Sequence, residues 1–237
     1  MIMDVAENVK KYFLKEYGSW SVLIVSYVAG ACAAHTFTWL LFPLFVSLAL
    51  LINSKQAFMK WLRNVEDRKS SFIMLGQLLT AAIILVAIFR SEMPRLMPLL
   101  IIPALYLLSN RLAGEHALIT EILGFALISL AAVLAKFLLT DGIDVRLFMG
   151  VAFYFIAGVF KIKALIFKKI QDRIFTAVYV LLSIFVYRRF YIPVIILLPL
   201  LDNLVVSATL YKVKLQTTGW IEVVKSLLFL ILFVSYY

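Results

Sequence analysis

The sequence predicts an all-α fold, a polytopic bundle of transmembrane helices with about nine spans. Of its 237 residues, 64% are hydrophobic and only 15% are charged, and the mean hydropathy is +1.02. A soluble domain of this size could not bury so much apolar surface, whereas a bilayer accepts it when backbone polar groups bond within helices or a closed barrel. The apolar runs are continuous and do not alternate with polar residues, which favours helices over barrel strands.

Nine apolar segments are long enough, or nearly long enough, to cross a bilayer. About 30 Å of hydrocarbon requires roughly 20 helical residues, and shorter runs are tolerated where flanking side chains reach the interface. The first, second and seventh segments are short for a complete crossing. The segments are 20–35, 38–53, 72–89, 94–109, 118–139, 147–164, 174–187, 191–210 and 219–235.

The distribution of basic residues predicts the orientation of these segments. Lys and Arg are retained on the cytoplasmic side of a membrane, and seventeen of the 23 fall there when the amino terminus is placed inside. The odd number of spans then puts Tyr237 on the non-cytoplasmic side of the inner (plasma) membrane. Because no linker interrupts the spans, we expect one membrane domain over 1–237, with a short cytoplasmic segment 1–18.

Most acidic side chains lie where a helix is predicted to begin, and this position explains them without a ligand. An acid in the first turn complements the positive end of the helix dipole and caps free N–H groups. Such acids stand at the starts of the odd-numbered helices and before helices 4 and 6. They are Glu16, Glu66 with Asp67, Glu121, Asp172, Glu222, Glu92 and Asp144.

Asp202 is the acid that helix capping does not explain. It lies about ten residues into the eighth segment, roughly 15 Å from its outer end, with Asn203 beside it. A charge at that depth is costly, so it indicates either a functional site or a carboxyl that holds neighbouring helices together. Its candidate partners are Lys225 on helix 9 and Lys161 or Lys163 on helix 6.

Two proline-containing segments, Pro98 to Arg111 and Pro193 to Leu204, resemble each other loosely, which suggests an internal repeat. Each has two prolines, a branched apolar run and a later Asn. Pro103 and Pro199 are expected to bend helices 4 and 8, because proline removes a backbone hydrogen bond.

The candidate ligand-binding residues combine Asp202 with polar side chains near the predicted cytoplasmic helix ends. Basic residues there first of all set the topology, and they can also attract anionic headgroups at about 1 kcal/mol each. Glu222 and Lys225 are three residues apart and are expected to neutralise each other on one helix face. The full set is Asp202, Asn203, Arg111, Glu121, Lys161, Lys163, Glu222 and Lys225.

The sequence predicts neither a metal site nor a cofactor. Glu115 and His116 lie six and five residues before Glu121, so neither shares a helix face with it. A single cysteine, Cys32, excludes a cysteine-rich metal site. The sequence contains no phosphate-cradling glycine loop, no nucleophile elbow and no HExxH, and its interfacial aromatics are typical of membrane-belt anchors, not of nucleic-acid binding.

Three short stretches touch both ends and the middle of the chain. They are Lys15-Glu16-Tyr17-Gly18-Ser19-Trp20, the region from Glu121 to Leu130, and the region from Gly219 to Leu232. Together they resemble the YwiC-like family of bacterial membrane proteins, whose opening motif reads Lys-Glu-His-Gly-Ala-Trp. Tyr17 replaces the family's histidine, so no proton or metal role is carried over to that position. The resemblance implies a multi-pass membrane protein and assigns no reaction.

The nine-helix layout with large inner loops after helices 2 and 6 also resembles UbiA-type prenyltransferases. Two aspartate-rich motifs hold Mg-bound diphosphate in that family, whereas the corresponding loops here offer only Glu66, Asp67 and Asp172. A Mg-diphosphate site needs several oxygen ligands. The sequence therefore favours a protein without enzymatic activity.

The functional interpretation leaves alternatives open. The leading hypothesis is a pocket, open to the cytoplasmic side, that binds an anionic lipid or isoprenoid-like amphiphile, with Asp202 at its deep end and lysines at its mouth. The second is a transporter of a small solute or ion in which Asp202 is the coupling carboxylate. An assembly or scaffold protein, or a UbiA-like prenyltransferase, is the remaining alternative. The expected partners are the bilayer and such an amphiphile, with no nucleic acid.

Overall fold

The computed structural model describes residues 17–63, 68–209 and 215–237, and all the regular structure in these ranges is helical. Seven helices are long and apolar enough to cross a membrane, and α1 and α8 are shorter apolar helices. The predicted helical membrane fold is therefore confirmed. The helices are α1 Tyr17–Cys32, α2 Leu41–Arg63, α3 Arg68–Phe89, α4 Met93–Ala113, α5 Leu118–Thr140, α6 Val145–Phe167, α7 Ile170–Arg189, α8 Val194–Thr209 and α9 Leu215–Tyr236.

The described residues group into two compact units. The first comprises the described residues of Thr38–Arg95, and the second comprises Gly18–Phe37 and Leu96–Tyr237. In the first unit α2 packs against α3, and Leu44, Ala57 and Ala81 are fully buried there. The expectation of a single membrane domain stays a prediction.

Within the second unit, α6 is the most buried of the membrane-crossing helices. It packs against α5 and α7 and also contacts α8, and eleven of its 23 residues are buried, against five of the 20 residues of α7. The first helix, α1, approaches α5 closely at Gly30. A Cβ atom at Gly30 would lie 2.0 Å from the carbonyl oxygen of Ala132, so only glycine fits at this crossing.

Aromatic side chains fill the space between α6 and α9. As residue numbers rise along α6, those of the facing residues on α9 fall, so the two helices run antiparallel. Tyr154 and Phe229 stack with their ring centroids 3.8 Å apart. The other facing pairs are Gly150 with Phe233, Asp144 with Tyr237 and Lys161 with Glu222.

Helices α4 and α8 both contain a 3-10 segment with a proline. These segments are Met97–Leu100, which contains Pro98, and Val194–Leu200, which contains Pro199. Each is followed by an α-helical part. Pro103 falls in the first turn of the α-helical part Ile101–Ala113, directly after the 3-10 segment. Helix α4 therefore departs from α geometry in the 3-10 segment Met97–Leu100, and not at Pro103, where a bend was expected.

A charge cluster between three helices

Five polar side chains meet where α6, α8 and α9 come together, and we call them the charge cluster. They are Lys161, Asp202, Asn203, Glu222 and Lys225. The Lys161 ammonium donates to the Asp202 carboxylate and, at 2.5 Å, to Glu222 Oε1. The Lys225 ammonium lies 3.0 Å from Glu222 Oε1 and 3.3 Å from Asp202 Oδ2. Each ammonium therefore contacts both carboxylates, and the four charges balance.

Asn203 ties the charge cluster to the backbone of α6. Its side-chain nitrogen donates to the carbonyl oxygen of Ala157 at 3.1 Å, and its side-chain oxygen accepts from Lys225 Nζ at 2.6 Å. The residue is fully buried. Because the Ala157 carbonyl fixes which side of the amide is the donor, the amide oxygen is held towards Lys225.

The end of α8 is held by an arginine from α7. Arg173 donates through Nε to the carbonyl oxygen of Ser207 at 2.5 Å and through its terminal nitrogen to that of Ala208 at 2.6 Å. The last carbonyls of a helix have no partner within the helix, so a guanidinium is well suited to bind them. Sequence reasoning did not assign this role to Arg173.

The acids and the lysines of the charge cluster differ in exposure. The side chains of Lys161 and Lys225 are 0% and 9% exposed, whereas those of Asp202 and Glu222 are 26% and 29% exposed. The accessible side of the charge cluster is therefore acidic. A solute that reaches it meets a carboxylate first.

The remaining predicted site residues lie apart from the charge cluster. Lys163 Nζ lies 3.0 Å from Glu121 Oε2, and this pair joins α6 to the first turn of α5. Arg111 is exposed in the last turn of α4 and forms no ion pair within the described ranges. The structure thus brings together Asp202, Asn203, Lys161, Glu222 and Lys225, and separates Glu121, Lys163 and Arg111 from them.

Three sequence-based expectations about the acids are resolved by these contacts. Glu222 was expected to cap the start of helix 9, and this is wrong, because α9 begins at Leu215 and Glu222 lies about two turns inside it. The expected neutralisation of Glu222 by Lys225 is confirmed. Of the lysines suggested as partners of Asp202, Lys161 and Lys225 bind it and Lys163 does not.

A second group of charges lies at the opposite end of α6, and we call it the capping cluster. Asp144 is the N-cap of α6, and its Oδ1 accepts from the backbone N–H of Leu147 at 2.9 Å. Its Oδ2 accepts from Lys136 Nζ at 2.6 Å and from the Tyr237 hydroxyl at 2.8 Å. Burial alone would raise the pKa of Asp144, but these three donors outweigh it and hold the pKa below its ordinary value.

A model of the YwiC-like protein family matches residues 14–136, which is just over half of the chain. The chain belongs to the YwiC-like family. Family membership and the long apolar helices together indicate a membrane protein. The matched range of this YwiC-like protein ends in α5, so it includes none of the charge cluster. No curated protein and no solved structure matches the chain, and the resemblance to UbiA-type prenyltransferases gains no support.

Proposed function

We propose that this YwiC-like protein transports a small solute or ion, and that Asp202 and Glu222 bind the coupling proton. The observation that carries the proposal is the unequal exposure within the charge cluster, where both ammoniums are buried and both carboxylates keep accessible surface. Ionisable groups inside membrane-crossing segments are costly, and they mark ion or proton pathways in many membrane proteins. An accessible carboxylate with a buried counter-ion is suited to taking up a proton.

Proton uptake would change the balance of charges in the cluster. With both acids ionised, two ammoniums and two carboxylates sum to zero, and one bound proton leaves a net charge of one. Charge interactions are strong away from bulk water, so two buried ammoniums that share one carboxylate repel each other. The protonated and unprotonated forms therefore favour different arrangements of α6, α8 and α9, which is what coupling requires.

Helix α8 is suited to be the element that moves. It is shorter than the membrane-crossing helices, and its 3-10 segment Val194–Leu200 ends just before Asp202. Interrupted helices next to an ion site are a recurring feature of secondary transporters. Arg173 holds the other end of α8 through two carbonyls, so the helix has a fixed end and an irregular end.

The same exposure pattern disfavours a pocket for an anionic amphiphile. Both lysines of the charge cluster are already bound by carboxylates, and neither is more exposed than those carboxylates. An anionic headgroup would have to displace Asp202 or Glu222, whose charges repel it. A cationic species or a proton meets no such barrier.

Proton flux in proteoliposomes tests the proposal directly. Purified protein is reconstituted with the pH-sensitive dye pyranine inside, and a pH gradient is imposed with and without Na⁺ or K⁺ on the opposite side. We expect flux above that of empty liposomes, reduced at least about tenfold in Asp202→Asn and Glu222→Gln, because one lost transition-state interaction of about 1.4 kcal/mol has that effect.

Glu121→Gln is the matched control, since it removes an acid that pairs with a lysine on α6 outside the charge cluster. It should keep the wild-type flux. Flux equal to that of empty liposomes under every gradient, or equal flux in wild type and both cluster variants, would rule out the proposed role. Loss of folded protein in the cluster variants, with no flux in the wild type, would support a scaffold.

A further inference from the structure

An open cleft lies at the start of α6, beside the capping cluster. Residues from the end of α5, the turn after it, the start of α6 and the end of α7 line this cleft, which has a volume of about 530 Å³. Its lining includes Lys136, Ile143, Asp144, Val145, Arg146 and Phe190. The lining residues include no member of the charge cluster, so the cleft is a separate site.

The lining of the cleft carries one more positive than negative side chain. Lys136 donates to Asp144 at 2.6 Å, so these two charges neutralise each other. Arg146 is exposed, and its guanidinium forms no ion pair and no hydrogen bond within the described residues. Asp141 is close in sequence, but it does not line the cleft and is not paired with Arg146. An anion in the cleft would therefore neutralise Arg146.

The ring of Tyr237 positions Arg146 at the cleft. The guanidinium carbon of Arg146 lies 5.1 Å from the ring centroid, and Lys136 Nζ lies 5.4 Å from it. The ring itself stacks on Phe233, with centroids 4.6 Å apart. A cation–π contact holds a guanidinium without using its N–H donors. Arg146 thus presents a planar set of donors that fits two oxygens of a phosphate group.

The predicted orientation of the chain gives an independent argument for an anionic ligand. Six basic residues fall on the non-cytoplasmic side in that orientation. Lys136 and Arg146 line the cleft, and Arg188 and Arg189 directly precede its lining residue Phe190. Basic residues are disfavoured on that side of a membrane, so topology does not explain why four of the six lie at this end of α5, α6 and α7.

We infer that the cleft binds the phosphate group of an anionic membrane lipid, and that Arg146 is the side chain that binds it. Lys136 uses one of its three donors for Asp144 and adds a second positive charge. The cleft lies where membrane-crossing helices end, which is the depth of lipid headgroups, and basic pockets between such helices bind anionic headgroups. Val145, which is 55% exposed, and Phe190 place apolar surface beside the charges, where a lipid chain can cover it.

The inference goes beyond the proposed function, because it uses no residue of the charge cluster. It also specifies the headgroup. A zwitterionic lipid has the same phosphate, but its quaternary ammonium would come close to the basic residues of the cleft. An anionic lipid such as phosphatidylglycerol carries no such cation and is therefore preferred.

Thermal unfolding with added ligands tests the inference. Purified protein in a neutral detergent is titrated with phosphatidylglycerol, with phosphatidylcholine of the same chain length, or with inorganic phosphate. We expect phosphatidylglycerol to raise the melting temperature by about 3 °C or more at saturation, because a ligand that binds only the folded state stabilises it. The other two ligands should leave the melting temperature unchanged.

Arg146→Gln and Arg111→Gln form a matched pair of variants. Arg111 is also exposed and without an ion pair in the described ranges, but it lies in the last turn of α4 and not at the cleft. The affinity for phosphatidylglycerol should fall about tenfold in Arg146→Gln, because a charge-assisted hydrogen bond is lost, and should stay at the wild-type value in Arg111→Gln. Each variant is compared with its own lipid-free melting temperature, so a change in its stability does not affect the comparison.

Three results would overturn the inference. The first is an equal rise in melting temperature with phosphatidylglycerol and phosphatidylcholine, which would mean that the headgroup charge is not recognised. The second is an equal affinity of Arg146→Gln and Arg111→Gln, which would place the lipid elsewhere on the protein. The third is a rise with inorganic phosphate that matches the rise with phosphatidylglycerol, which would mean that the cleft binds a soluble anion.

Discussion

The charge cluster and the capping cluster both involve α6 and both pair acids with lysines, but they differ in what else the acids bind. Asp144 caps α6, whereas Lys161 lies seventeen residues further on, about 25 Å along the axis. In the capping cluster one acid binds a backbone N–H, a lysine and a tyrosine. In the charge cluster two acids share two lysines where three helices meet, and the acids bind side-chain cations and not a free helix terminus.

This difference shows why position decides what an acid does in a membrane helix. At a helix end, free N–H groups and the helix dipole stabilise a carboxylate, so it needs no further role. Inside the helices the backbone is already paired, and a carboxylate requires side-chain cations that are themselves costly to bury. The capping cluster is therefore explained by local structure, and the charge cluster is the place to look for the transport site.

Lys161→Met should have the largest effect on stability, because it removes the most buried charged side chain of the charge cluster. It leaves Asp202 and Glu222 with Lys225 as the remaining ammonium of the cluster, and breaking a buried pair in this way costs about 3–5 kcal/mol. Unfolding in detergent, monitored by intrinsic fluorescence, measures the loss in the free energy of unfolding. A loss below about 1 kcal/mol would equal that of a surface ion pair, and the charge cluster would then not differ in stability from an ordinary pair at a helix end.

Asp144→Asn should have an intermediate effect that depends on pH. Asn is also a good N-cap, so the substitution keeps the bond to Leu147 and removes the charge that binds Lys136. Because the folded pKa of Asp144 is lowered, its stabilisation is complete above the unfolded pKa of about 3.9 and is lost as the pH falls through the folded value.

Melting temperatures of wild type and Asp144→Asn between neutral pH and the acid limit therefore provide the check. The gap between the two proteins should be widest near neutral pH and should close on acidification. A gap that stays constant at all pH values would mean that the carboxylate charge contributes nothing at this helix end.

Lys163→Met should have the smallest effect of the three. Lys163 pairs with Glu121 at a partly exposed position, and such pairs contribute about 0–1 kcal/mol. It lies two residues from Lys161 and carries the same charge, so it is the closest comparison for Lys161→Met. If its free energy of unfolding falls as far as that of Lys161→Met, burial of the lysine is not what distinguishes the two positions.

The fold was largely predictable, because apolar runs of suitable length leave little choice in a bilayer. Each of the nine predicted segments overlaps one described helix. The start of α9 was placed too late, since the segment 219–235 was defined by its apolar run, and the helix begins at Leu215. That error of four residues made Glu222 look like a helix cap.

The charge cluster was predictable in part. The depth of Asp202 in the predicted eighth segment pointed to it, because neither end of that segment lies near enough to explain the acid. The choice between Lys161 and Lys163 could not be made from the sequence, since two residues turn a helix by about 200° and only the rotation of α6 decides which lysine faces α8.

The aromatic packing between α6 and α9 has a mechanical consequence. Stacked rings join the two helices along their middle, and a hydrogen bond from Tyr237 to Asp144 and an ion pair between Lys161 and Glu222 fasten them near both ends. Two helices that are connected at three levels resist bending and sliding more than either helix alone. For the proposed transporter, α8 is therefore the element expected to move, and probes that report displacement belong on α8, with α6 and α9 as the fixed frame.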